Sequence, residues 1–227
     1  KYLRKGFIRV NEKKIRSSYR LNKGDIIKTS VFINNFLSND KKIKKIYGSE
    51  DFIKKNTLHI DNDLLVINKP FNLAVQGGTG IKRNLDDLLV SAFSGKKITP
   101  RLVHRLDKET SGVMLIALNR KMASHLSNLF KTKNVQKTYW AITEGEPEKT
   151  TGEININITD DEKNQRQKSL TKYNKVLKIN DNISWIAFRP ITGRTHQIRK
   201  HASMSNFPIV GDKKYGNKNN KIIKFNK

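Results

Sequence analysis

The 227-residue chain contains no cysteine. That absence excludes disulfides, thiolate metal sites and cysteine nucleophiles together. Acidic residues are scarce as well, with 20 Asp plus Glu against 46 Lys plus Arg, a formal net charge of +26. No apolar run approaches the ~20 residues that a membrane-spanning helix needs, so no membrane partner is expected. Lys1-Tyr2-Leu3-Arg4 has no apolar stretch behind it, so no signal peptide is expected and the expected location is the cytoplasm. The first residue is not Met, which leaves room for the chain to be a fragment of a longer one. No internal repeat and no Gly-x-Ser-x-Gly segment is present, which argues against a serine hydrolase. Gly77-Gly78-Thr79-Gly80 lacks the Lys-Ser/Thr that would make it a phosphate-binding loop of a nucleotide hydrolase. His104, His196 and His201 stand without cysteines or a carboxylate cluster, so no metal is expected.

What is there is first of all charge. A surface this basic attracts polyanions, and nucleic acid is the commonest inside a cell. Part of the excess is compositional drift: 34 of the basic residues are Lys and 12 are Arg, and Asn and Ile are plentiful, as AT-rich codons would produce. The remainder still favours a nucleic-acid partner. The length suits one catalytic domain with a small appendage.

Hydrophobic spacing sketches the organisation. Gly6-Phe7-Ile8-Arg9-Val10-Asn11 alternates like a strand, Asn11-Glu12-Lys13-Lys14 and Gly24-Asp25 are turns, and Ile26-Ile27-Lys28-Thr29 follows as a second strand. Lys5, Arg9, Lys13, Lys14, Arg16, Arg20 and Lys23 stud this unit. Residues 34–56, with the run Lys41-Lys42-Ile43-Lys44-Lys45, read as a solvated linker. Strands are expected at Leu64–Ile67, Val113–Leu118, Thr138–Ile142, Glu153–Ile158, Tyr173–Ile179 and Ile183–Phe188. Helices are expected at Leu85–Phe93, Met122–Phe130 and His196–Ser203, and a turn-rich tail surrounds Gly211 and Gly216. Many strands with few helices between them predict an α+β fold on a largely antiparallel mixed sheet.

Three segments carry candidate chemistry. In Arg101-Leu102-Val103-His104-Arg105-Leu106-Asp107-Lys108-Glu109-Thr110-Ser111-Gly112, a carboxylate stands just before a buried strand, where a pocket would meet the core. Alone, Asp107 would be read as a turn residue bonding its own backbone. In Arg189-Pro190-Ile191-Thr192-Gly193-Arg194-Thr195-His196-Gln197-Ile198-Arg199, a turn delivers Arg194 to the mouth of a helix, and a guanidinium there can hold a carboxylate in its ionised form. Arg194 and Arg199 could equally contact phosphates. In Val135-Gln136-Lys137-Thr138-Tyr139-Trp140, an aromatic ring on a strand could stack on a base taken out of its helix, though an isolated Tyr in a strand is more often core.

Taken together, "HRLDKETSG", "QKTY" and "PITGRTHQIRKH", in that order and spacing, resemble the signature segments of the RluA family of RNA pseudouridine synthases. "LLVINKP" and "FPIVGDKKYG" agree, so the resemblance spans roughly residues 58–216. The stretch "GFIRVNEKKIRSSYRLNKGDII" resembles the second half of an S4-type RNA-binding domain, and with it the chain is most similar to members acting on the large ribosomal subunit. Asn72 and Gln76 depart from the Gly and His of that subgroup.

The resemblance implies a partial S4-like α+β domain over residues 1–33, a linker over 34–56, and a pseudouridine synthase domain over 57–227. It implies that Asp107 starts cleavage of the uridine N1–C1′ bond, by attack on C1′ or through a glycal, before the uracil turns and rejoins through C5. Tyr139 would stack on the uracil and assist loss of the C5 proton. Arg194 would pair with Asp107, Ile198 would pack on the base, and Arg105 would fill the gap left in the RNA. His104 and Arg199 would orient the site or contact RNA. An isomerisation needs no net redox or hydrolytic partner, so neither cofactor nor metal is expected, and the partner is ribosomal RNA bound by a monomer. The alternatives are a non-catalytic ribosome-assembly protein on the same fold and a synthase acting on tRNA.

Overall fold

A computed structural model describes residues 2–30, 45–160 and 165–217. At the N-terminus a short helix α1 (Tyr2–Lys5) precedes β1 (Ile8–Val10), which pairs antiparallel with β2 (Ile27–Thr29). Asp25 closes the intervening loop, its carboxylate accepting hydrogen bonds from Asn11 Nδ2 (2.7 Å), the Tyr19 hydroxyl (3.1 Å) and the Asn22 amide (2.9 Å). The Asn11 Oδ1 accepts from the Ile26 amide at 2.9 Å. This is the side-chain-to-backbone bonding by which Asn and Asp make turns.

The expected linker is only partly seen. Residues 34–44 lie outside the described ones, but Ser49–Asn56 is a helix, α2, and not solvated coil. Ser49 and Ile53 are buried, and the Ser49 hydroxyl hydrogen-bonds Ser91 at 2.9 Å. Glu50 and Asp51 in its first turn and Lys54 and Lys55 in its last match the helix dipole. β3 (Thr57–Ile60) follows and pairs antiparallel with β4 (Leu64–Lys69). α3 (Leu85–Ala92), against which α2 packs, is capped by Asn84, whose side chain accepts from the Asp87 amide. Leu65, Ile67, Leu85 and Leu88 are wholly buried. Lys69 is buried too, its ammonium donating to the carbonyls of Pro70 (3.0 Å), Leu73 (2.8 Å) and Lys108 (3.3 Å). Asn72 sits at φ 62°, a left-handed conformation that glycine takes freely and Asn tolerates, which explains how Asn serves at this turn.

By compactness the chain forms two units: residues 1–100 with 108–114, and 101–107 with 115–227. The division therefore falls inside the stretch expected to be a single catalytic domain. β6 (Gly112–Ala117), next to β4 in its sheet, contributes residues to both units. In the second unit β5 (Arg101–Leu102) pairs antiparallel with the end of β6. α4 (Arg120–Lys131) is capped by Asn119, which accepts from the Met122 amide. A four-stranded antiparallel sheet then runs in the order β7 (Tyr139–Glu144), β12 (Ile183–Pro190), β11 (Thr171–Asn180), β8 (Thr151–Ile154). Its core of Ile154, Ile186, Phe188, Ala202 and Phe207 is sealed by α5 (Gln197–Met204).

The strand expected at Glu153–Ile158 is instead split between β8 and β9 (Ile158–Asp160), the latter paired with β10 (Gln165–Gln167). The carbonyl of Ile156, in the break, turns to accept from Ser169 Oγ and His201 Nε2. The observed class is α+β with antiparallel strand pairs, as expected.

Candidate active site

Asp107 lies in the second unit, in the segment that leads out of β5. Its anchor is His104. The Leu115 amide donates to His104 Nε2 at 2.9 Å, and the imidazole stacks on Phe130 of α4 with ring centroids 4.5 Å apart. Burial, helped by the nearby Lys137 charge, pushes the His104 pKa down to about 4, so the ring is neutral at physiological pH. His104, expected to orient the site or contact RNA, has its ring engaged by the Leu115 amide and by Phe130.

Two basic side chains from one helix end face the carboxylate. His196 Nε2 is 3.8 Å from Asp107 Oδ1, and an Arg199 terminal nitrogen is 3.8 Å from Oδ2. Arg199 is not a phosphate-facing residue: its side chain is 11% exposed and its guanidinium also grips Asp212 at 2.6 and 2.8 Å. The Asp107 side chain keeps 20% exposure, enough for a reacting group to reach it.

The expected pairing of Arg194 with Asp107 is corrected by this arrangement. Arg194 is exposed and its Nε donates to the Lys168 carbonyl at 3.2 Å, while its own amide is bound by Gln197 Oε1 at 3.1 Å. The reason is local. Helix α5 begins at Gln197 after His196 takes a left-handed turn at φ 53°, so Arg194 lies before the turn. His196 and Arg199, three apart, share one side of the helix end.

A buried polar network sets that helix end. Gln197 Oε1 accepts from Thr192 Oγ1 (2.6 Å), and its Nε2 donates to the Leu170 carbonyl (2.9 Å) and Thr171 Oγ1 (2.8 Å). His201, fully buried, shares its Nε2–H between the Ile156 carbonyl and Ser169 Oγ, each at 3.0 Å, so Nδ1 accepts from Thr171 Oγ1 at 2.9 Å. Burial pushes the His201 pKa down.

Tyr139 opens β7 opposite Phe188 and packs half-buried against the core cluster. Burial raises its pKa and the Asp107 charge adds to the rise, which places hydroxyl and carboxylate in one electrostatic neighbourhood. Ile198 packs against the same cluster, and Arg105 is exposed two residues ahead of Asp107. The sequence reading left out His196, Asp212 and Tyr215 as site residues. The spacing His196-x-x-Arg199 at a helix start was the available signal for the first of them.

An aspartate flanked by a histidine and an arginine, with a tyrosine in its electrostatic neighbourhood, thus stands on an α+β fold. The model of the RNA pseudouridylate synthase family covers residues 63–204. A ribosomal large subunit pseudouridine synthase C from Rickettsia conorii is 40% identical over 96% of this chain and 76% of its own length. Its namesake from Vibrio vulnificus is 34% identical over 95% of this chain and 70% of its own. The human RNA pseudouridylate synthase domain containing 4 superposes with a TM-score of 0.67 at 34% identity, covering 76% of this chain and 74% of that one. The chain belongs to the RNA pseudouridylate synthase family. It is accordingly an RNA pseudouridine synthase, an isomerase that converts uridine to pseudouridine.

Proposed function

We propose that this synthase modifies ribosomal RNA, that of the large subunit, and that Asp107 is the carboxylate that begins the reaction. The observation carrying the second part is the flanking of a partly exposed Asp107 by His196 and Arg199 at 3.8 Å each. Neither contact is close enough to be a hydrogen bond, so the carboxylate keeps its lone pairs for the sugar. Substrate choice is supported by the relatives named for the large ribosomal subunit.

The flipped uridine meets Tyr139, whose ring stacks on uracil and whose hydroxyl is at hand when C5 loses its proton. Ile198 supports the other edge of the base. Arg105 replaces the extruded base in the stack, offsetting part of the few kcal/mol that unstacking costs. Outside the site, α4 exposes Arg120, Lys121, Ser124, His125 and Asn128 around a shallow depression. No acidic residue stands in its first turn, an arrangement suited to phosphate. The basic N-terminal hairpin, the S4-like element, adds a second phosphate-binding surface.

Site-resolved pseudouridine maps of ribosomal RNA incubated with and without the protein test the substrate. New pseudouridines in large-subunit RNA are expected. Modification confined to tRNA, or none in any RNA, overturns the assignment.

A further inference from the structure

The tail after α5 approaches the two basic residues beside Asp107 and holds each by a different bond. Asp212 takes the Arg199 guanidinium through Nε at 2.6 Å and a terminal nitrogen at 2.8 Å, a two-point grip that fixes the plane of the fork. The Asp212 side chain is 4% exposed. Burial alone would raise its pKa, but the Arg199 hydrogen bonds, with the amides of Tyr215 and Lys214, hold it below the usual carboxylate range. The carboxylate is thus ionised and anchored to its own turn, through Oδ1 to Lys214 N at 2.9 Å and Tyr215 N at 3.0 Å.

Tyr215 engages the other partner. Its hydroxyl lies 2.9 Å from His196 Nδ1 and its ring meets that imidazole edge-on, centroids 5.6 Å apart. The Arg199 guanidinium sits over the same ring at 5.3 Å. Because His196 Nε2 points at a carboxylate, the proton of the neutral ring belongs on Nε2, and Tyr215 donates to the bare Nδ1. His196 also occupies a left-handed backbone conformation costly for a non-glycine residue, so something must hold it there.

We propose that Asp212 and Tyr215 are positioning residues of the uridine isomerisation: Asp212 orients Arg199, and Tyr215 fixes His196 with Nε2–H toward Asp107. This rests on the reading of Asp107 as the reacting carboxylate. Both act by holding the two groups that flank Asp107, and misplacing a reacting group by about 1 Å can cost on the order of 100-fold in rate.

The test is single-turnover pseudouridine formation on a uridine-containing ribosomal RNA fragment by the full chain and by Tyr215→Phe, Asp212→Asn and Asp107→Asn. Tyr215→Phe removes one oxygen and keeps the ring, so it stays folded. For Tyr215→Phe and Asp212→Asn the maximal rate should fall at least roughly 10-fold while the RNA concentration for half-maximal rate is unchanged. The His196 pKa is held down by burial, against Asp107 and with Arg199, Lys214 and Lys200 reinforcing. Loss of the Tyr215 donor removes support for the neutral ring, so in Tyr215→Phe the His196 NMR titration should move to higher pH. Wild-type rates in both variants with Asp107→Asn inactive would overturn the positioning role alone. An active Asp107→Asn would overturn the reading beneath it.

Discussion

Around α5 and its tail, charge is held by partners; in the N-terminal hairpin, charge is left in water. Arg199 is 11% exposed and shared between Asp107 and Asp212, while His196 is fixed between Asp107 and Tyr215. In the hairpin, Lys5, Arg9, Lys13, Lys14, Arg16, Arg20 and Lys23 are all exposed, and the Lys28–Glu12 ion pair lies on a surface where such pairs contribute little. Both regions are basic, yet only the first holds a largely buried arginine between carboxylates. Net charge therefore says where RNA is attracted, and the pairing of individual charges says where chemistry is done.

Substitutions should separate the two regions sharply. The largest effect is expected for Arg199→Ala, which strands the buried Asp212 carboxylate without its partner. Removing one member of a buried pair costs about 3–5 kcal/mol, so the urea midpoint should fall steeply and turnover with it. Arg199→Lys keeps the charge but not the fork, and should recover stability only in part. An Arg199→Ala protein as stable as wild type would erase the distinction drawn here.

An intermediate effect is expected from pH. His104 and His201 are both held below their ordinary value by burial, His104 at about 4 against 6.5. The unfolded chain takes up protons at a pH where these buried rings do not. Their contribution to stability is complete above about pH 6.5 and drains as pH falls from there toward 4. Urea midpoints should thus be lower at pH 5 than at pH 7.5, and equal midpoints would contradict the neutral, buried assignment. The smallest stability effect is expected in the hairpin. Arg9→Ala, Arg16→Ala and Arg20→Ala should each shift stability by no more than about 0.5 kcal/mol. RNA binding should instead weaken, the slope of log affinity on log salt becoming shallower by about 0.7–0.9 per charge removed. An unchanged slope would remove the hairpin from the RNA interface.

The sequence carried the longer strands and the position of Asp107 because both rest on local pattern: a polar segment running into an apolar strand, and apolar, aromatic-containing runs at β7 and β12. Tyr139 was ambiguous in isolation between a core ring and a base-stacking one; its ring packs half-buried on the core, and the Asp107 charge adds to the rise in its pKa. What stayed hidden depended on backbone geometry. Arg194 and Arg199 are both arginines in one motif, and only the left-handed turn at His196, with α5 starting at Gln197, decides which faces the carboxylate. The break between β8 and β9 follows from a buried histidine forty-five residues away claiming a carbonyl, which no local period can report. Helix α2 was read as linker because it follows the polar, Lys-rich run Lys41-Lys42-Ile43-Lys44-Lys45 and its own buried residues are only Ser49 and Ile53.

The central claim is that Asp107 is the reacting carboxylate. Asp107→Asn keeps the size of the side chain and removes its charge, so folding and salt-dependent RNA binding should persist. Measured on ribosomal RNA under conditions where the wild-type protein converts its target uridines, this variant should form no pseudouridine. Pseudouridine formation by Asp107→Asn at anything near the wild-type rate would contradict the account.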